Sequence, residues 1–222
     1  MGPPAQRADG RTAGRSTAPT AGLLLAPGAG ADRNQSALVA IDEAATALGV
    51  AVARMDFPYR KAGRRAPDRE PVLLAAVAEE AAALVSSSGL DPSRLVLGGR
   101  SMGGRICSMA VADGLPALGL ALVSYPLHPP GRPERLRVAH LDRLAVPCLF
   151  VSGTRDAFGT PAELEAATKA IAGPVTHVWL DGKDHGLKGC DDRVASAVAE
   201  WLAQLLASGV SGGGTTGRAT GV

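Results

Sequence analysis

Residues 98–104 read Gly-Gly-Arg-Ser-Met-Gly-Gly, between the apolar run Leu95-Val96-Leu97 and the helical pattern Arg105–Ala112. A serine centred in Gly-x-Ser-x-Gly on a strand-to-helix turn is placed to act as a nucleophile. The reason is steric. A residue held at positive φ on so tight a turn brings the positions two residues away against neighbouring backbone, so Gly99 and Gly103 must lack a Cβ. The turn lifts the Ser101 hydroxyl above the sheet, and the next helix aims its first N–H groups where negative charge would form. The same run has the glycine spacing of a phosphate-binding loop at Gly99 and Gly104. Arg105-Ile106 stands where Lys-Ser or Lys-Thr is required, which disfavours a nucleotide site.

A hydroxyl needs a base at neutral pH. His185 lies in the small, polar segment Asp181-Gly182-Lys183-Asp184-His185-Gly186, after the apolar run ending at Leu180. Asp156 follows the preceding apolar run within Ser152-Gly153-Thr154-Arg155-Asp156, and completes the chain order Ser, Asp, His that such a turn requires. Asp184 and Asp181 are reserve acids. The plainer alternatives are a solvated loop histidine at 185 and an aspartate at 156 that caps a turn or pairs with Arg155. In this scheme His185 takes the Ser101 proton during attack on an acyl carbonyl, Asp156 holds the imidazole tautomer, and water releases the acid.

The oxyanion needs two N–H donors. Met102 supplies one. The other comes from Ala26-Pro27-Gly28-Ala29-Gly30, where Pro27 has no N–H, leaving Ala29 first and Gly28 second. Gly28-x-Gly30 also opens a dinucleotide fingerprint, but Arg33 occupies the third glycine position. Among other histidines, His177 and His140 read as structural, whereas His128, in a proline-rich segment after a strand end, either touches substrate or packs. Tyr59 and Arg100 complete the candidate substrate contacts. Cys107 and Cys148 fall in a helix and a strand and read as small core residues. Arg60, Lys61, Arg64 and Arg65 read as a solvated basic loop rather than an attractor for acidic substrates.

The elements that must position these groups alternate regularly. Strands are expected at Gly22–Ala26, Val50–Arg54, Arg94–Gly98, Leu118–Ser124, Val146–Ser152 and Val175–Leu180, each short and apolar as central parallel strands are. Helical spacing recurs in Leu38, Ile41, Ala45 and Leu48 before Gly49, and in Leu74, Val77, Ala81 and Leu84. Thr160-Pro161-Ala162-Glu163 spells a capping box that starts a helix closed by Ile171 and Gly173-Pro174. Val194, Val198, Trp201, Leu202 and Leu205 form the stripe of a final helix. The pattern is βα repeated six times, hence an α/β chain with a mostly parallel sheet of about six strands in a three-layer αβα sandwich. Pro126 to Ala145 leaves room for a short flap and an open site rather than a lid domain.

Length and composition agree. A chain of 222 residues is expected to form one domain at 21–207, between flexible tails at 1–20 and 208–222 rich in Gly, Thr and Ala. A net charge of +2 and 3 % aromatic residues argue against nucleic acid as a partner. No stretch reaches the ~18 consecutive apolar residues of a membrane span, and the run at Leu23–Leu25 is too short for a signal peptide despite the arginines before it. The three cysteines lack the spacing of a disulfide framework or zinc site, so a cytoplasmic location and no metal are expected.

Four segments, Leu-Ala-Pro-Gly-Ala-Gly-Ala-Asp at 25–32, Asp-Phe-Pro-Tyr-Arg at 56–60, Gly-Gly-Arg-Ser-Met-Gly-Gly-Arg at 98–105 and Gly-Thr-Arg-Asp at 153–156, resemble the KANL/Tex family of α/β-hydrolases. The likeness spans about 21–207, includes Asp184-His185, and extends more distantly to dienelactone hydrolases. It implies the α/β-hydrolase fold with a triad at Ser101, Asp156 and His185, no cofactor, and a small-molecule acyl substrate of unspecified identity. Pro27 departs from the His of many relatives, and the first strands of the fold are reduced, which predicts a trimmed sheet. Some similar proteins serve as subunits of assemblies, so the rival expectation is a non-catalytic interaction module.

Overall fold

The computed structural model describes residues 18–210. The expected tails fall mostly outside the described residues, at 1–17 and 211–222, and the last helix continues to Val210, past the expected boundary at 207. In chain order the elements are β1 (Gly22–Ala26), α1 (Ser36–Ala47), β2 (Ala51–Arg54), α2 (Pro58–Lys61), α3 (Glu70–Ser88), β3 (Leu95–Arg100), α4 (Met102–Ala112), β4 (Gly119–Val123), β5 (Cys148–Gly153), α5 (Pro161–Thr168), β6 (Val175–Leu180) and α6 (Asp191–Val210).

The six strands form one sheet in the order β2-β1-β3-β4-β5-β6, every neighbouring pair parallel. Alternation along each strand sorts the core into two halves. Leu24, Leu97, Leu122 and Phe150 face one side, against α3 and α4 through Leu73, Val77, Ile106 and Cys107. Leu23, Leu25, Val96, Val123 and Val151 face the other, against α1 and α6 through Leu38, Ile41, Val194 and Trp201. Strands buried on both faces read as unbroken apolar runs, which is why they are legible in the sequence. Among the described residues no strand precedes β1, in keeping with a trimmed sheet.

Strands β1 and β6 have the expected bounds, and the others shift by one or two residues. Two local expectations are corrected. The βα alternation fails after β4, where the crossover to β5 carries only a 3-10 turn at Leu141–Arg143. Helix α5 opens on the expected Thr160–Glu163 capping box but stops at Thr168 rather than Ile171. Its last turn tightens, with Ile171 N–H reaching Thr168 O, while Thr168 Oγ1 lies 3.0 Å from His177 Nε2. Ile171 is still buried.

Among the described residues α3 is the one helix long and apolar enough, by length and composition, to cross a membrane. In this fold it buries Leu73, Ala76, Val77, Ala81 and Leu84 against its neighbours. Near its middle Glu80 pairs with Lys61 at 2.7 Å.

Candidate active site

The strand-to-helix turn after β3 sets Ser101 at φ 52°, ψ −117°, a conformation that few residues other than glycine tolerate. It is stabilised from both sides. Ser101 N–H donates to Val123 O on β4 at 2.8 Å, and Arg105 N–H reaches back to Ser101 O at 3.1 Å. A Cβ at either Gly99 or Gly103 would sit on the Ala26 carbonyl oxygen, so β1 passes through the space that both glycines leave empty. The expected steric logic is therefore realised against the Ala26 carbonyl at both glycines, joined at Gly103 by the Pro27 carbonyl.

Ser101 Oγ lies 2.9 Å from His185 Nε2, and His185 Nδ1 lies 2.8 and 3.0 Å from the two carboxylate oxygens of Asp156. The turn after β5 and the loop after β6 are joined to bring this about. Arg155 N–H donates to Lys183 O, Thr154 N–H to Leu180 O, and the Thr154 hydroxyl bridges Asp181 and Gly182. A Cβ on Gly153 would meet the Lys183 carbonyl, so Gly153 permits the close approach of the two loops. Asp156 is 3 % exposed and also accepts from Phe158 N–H at 2.8 Å, which leaves its carboxylate little freedom. The reserve acids are engaged elsewhere: Asp184 accepts from Gly186 N–H and Asp181 from Thr154.

Met102 opens α4, so its N–H has no intrahelical acceptor. Of the two donors expected from the β1 loop, Gly28 gives its N–H to Gln35 Oε1 at 3.1 Å. Ala29 is exposed, and its N–H makes no hydrogen bond among the described residues. Both loop residues line, with Ser101, Met102, Phe158 and His185, a cleft of about 510 Å³. That volume suits a small ligand.

The three candidate substrate contacts take different places. Tyr59 is fully buried, and its hydroxyl accepts from Gly30 N–H at 3.1 Å, so it supports the β1 loop from behind. His128 is 5 % exposed, its Nδ1 2.9 Å from Pro129 O and its Nε2 3.6 Å from Glu163, and it packs away from the cleft. Arg100 does line the cleft, yet its Nη2 donates to the carbonyls of His185 and Gly186 at 2.7 and 2.9 Å. It fixes the histidine loop. Burial lowers the Arg100 pKa, opposed by the charges of Asp156, Asp191 and Asp184.

Two contributors escape a reading of the sequence. Phe158 stacks on the His185 imidazole with ring centroids 3.9 Å apart, and Gln35 orders the β1 loop. Only the position of Phe158 two residues beyond Asp156 could have signalled it. The cysteines are free, and burial pushes the Cys107 and Cys148 thiols up to about 12, which fits core residues and not nucleophiles. Arg60, Lys61 and Arg64 pair with Asp32, Glu80 and Asp68, in keeping with an ion-paired surface loop.

An all-parallel sheet between helical layers, with a serine at a tight strand-to-helix turn and a histidine after the last strand, defines the α/β-hydrolase fold. Residues 19–208 match the family model described as Alpha/beta hydrolase domain, and the chain belongs to that family. Its fold is similar to that of Est1E from Butyrivibrio proteoclasticus, at 16 % identity and TM-score 0.71 over 87 % of this chain and 91 % of that one. A dienelactone hydrolase from Anabaena variabilis gives 18 % identity and TM-score 0.67, over 84 % and 87 % of the two chains. An alpha/beta-superfamily protein from Xanthomonas campestris gives 25 % identity and TM-score 0.63, over 83 % and 99 %. Family membership supports a hydrolase, and the neighbours share its fold.

Proposed function

We propose that the chain is a serine hydrolase that cleaves a small ester or thioester through an acyl-enzyme on Ser101, with Ser101, His185 and Asp156 as its triad. The observation that carries this reading is the unbroken relay from Ser101 Oγ through the imidazole to the buried Asp156. His185 Nε2 takes the hydroxyl proton as Oγ bonds to the acyl carbon, and the carbonyl π pair moves onto oxygen. The N–H groups of Met102 and Ala29 receive that oxyanion. Collapse expels the alkoxide or thiolate, which leaves with the proton from His185. Water, deprotonated by the same imidazole, then attacks the acyl carbon and frees the acid and Ser101. Because Gly28 N–H is engaged by Gln35, Ala29 is the preferred second donor.

The motifs at 25–32, 56–60, 98–105 and 153–156 place the chain, on this reading, in the KANL/Tex branch. Three buried free thiols accord with a reducing, cytoplasmic setting. Acyl substrates, and neither nucleic acid nor membrane, are the proposed partners.

A fluorophosphonate probe tests the reading directly. Labelling of the wild-type protein and none of Ser101→Ala supports the enzyme. Absence of labelling in folded wild type makes the chain an interaction module built on this fold.

A further inference from the structure

The cleft beside Ser101 holds an uncompensated cation. Its acids, Asp68 and Glu70, are each ion-paired, Asp68 through Oδ1 with Arg64 at 2.6 Å while its Oδ2 is buried without a hydrogen-bond partner, and Glu70 with Arg105 at 2.9 Å. Arg137 also lines the cleft, and no carboxylate of the described residues lies within ion-pair distance of it. Its guanidinium makes one contact, a long 3.5 Å approach to Pro126 O. Its neighbour in charge, Arg105, keeps Nε buried without any hydrogen-bond partner. Two guanidinium groups thus face one cleft with donors to spare and a single carboxylate, Glu70, between the two of them in the pairing.

Arg137 is also held in place for binding. Its backbone N–H donates to Leu127 O at 2.8 Å, and its carbonyl accepts the buried Tyr125 hydroxyl at 2.8 Å. The side chain therefore starts from a fixed point in the segment that joins β4 to β5. Burial first, and the charge of Arg105 second, push the Arg137 pKa below its usual range, a mark of cationic surplus in a partly dry site. Arg137 is half-buried, so water reaches part of its guanidinium and the donors on the cleft side stay free for a ligand.

We propose that Arg137, assisted by Arg105, binds an anionic oxygen group, carboxylate or phosphate, on the acyl portion of the substrate, so that the enzyme prefers esters and thioesters of acids bearing a second negative charge. This deepens the hydrolase reading and rests on it. The planar guanidinium fork suits such oxyanions, and charge-assisted bonds in a cleft that sheds water hold substrate in register with Ser101.

The test compares kcat/KM for the 4-nitrophenyl monoester of adipic acid, 4-nitrophenyl 6-phosphonohexanoate and neutral 4-nitrophenyl hexanoate. Wild type is expected to favour one or both anionic esters at least tenfold, and the arm that wins identifies carboxylate or phosphate. In Arg137→Gln the anionic-to-neutral ratio falls at least tenfold, chiefly through KM, and Arg137→Lys recovers part of it. A wild type that treats all three esters alike, or a ratio unchanged in Arg137→Gln, overturns the proposal. Fluorophosphonate labelling of the same wild-type preparation separates the two levels: labelling without charge preference defeats this inference alone, and no labelling defeats the hydrolase reading beneath it.

Discussion

One nitrogen of the Arg100 guanidinium holds the carbonyl oxygen of His185 at 2.7 Å, although the two residues are 85 positions apart in the chain. Arg100 directly precedes Ser101, so the turn that carries Ser101 grips the loop that carries His185. Removing that grip should loosen the imidazole without touching substrate. Arg100→Ala is expected to lower kcat by about 10–100-fold with KM changed by less than about twofold, since small misplacements of a catalytic group have costs of that order. Arg100→Lys should recover part of the loss. Steady-state kinetics on 4-nitrophenyl acetate decide the matter, and a raised KM with unchanged kcat would assign Arg100 to substrate binding instead.

Asp156 is the acid within reach of the imidazole, whereas Asp181 is bonded to Thr154. Asp156→Asn should therefore reduce kcat by about 10⁴-fold by favouring the wrong imidazole tautomer. Asp181→Asn is expected to stay within about threefold of wild type. Equal losses in the two variants would refute the assignment of the acid.

Gly103 and Gly28 make contrasting positions for an added methyl group. At Gly103 it would run into the Ala26 carbonyl, while at Gly28 it meets nothing nearer than 3.6 Å. Urea unfolding should show Gly103→Ala destabilised by about 3 kcal/mol and Gly28→Ala by less than about 1 kcal/mol.

His140 is buried, 2.8 Å from Ser108 Oγ, and burial followed by the charges of Arg105 and Arg143 lowers its pKa to about 4. The folded state thus favours the neutral ring. Between the ordinary histidine pKa of 6.5 and about 4 the unfolded chain binds more protons, so this contribution is present above pH 6.5 and is lost as pH falls toward 4. Urea midpoints should drop across that window by an amount equivalent to about 3 kcal/mol from this group. In His140→Gln the slope should flatten; an identical slope in the variant would remove His140 from the account.

The sequence alone determined what short-range sterics and periodicity control. Gly99 and Gly103 mark the Ser101 turn because a Cβ has no room there, β1 appears as an apolar run because both sheet faces are covered, and Thr160 with Glu163 caps α5 through bonds three residues apart. The order of Ser101, Asp156 and His185 follows from the same signals, since each stands just beyond a strand. Tertiary structure alone decided where the loop side chains go. Tyr59 turned inward to Gly30, His128 packed beside Glu163, Gln35 took the Gly28 N–H, Phe158 stacked on His185, and Arg137 was left lining the cleft without a carboxylate partner. These outcomes depend on which loops meet at the carboxyl ends of the strands. Loop composition does not encode that meeting, because each partner is supplied by a different crossover.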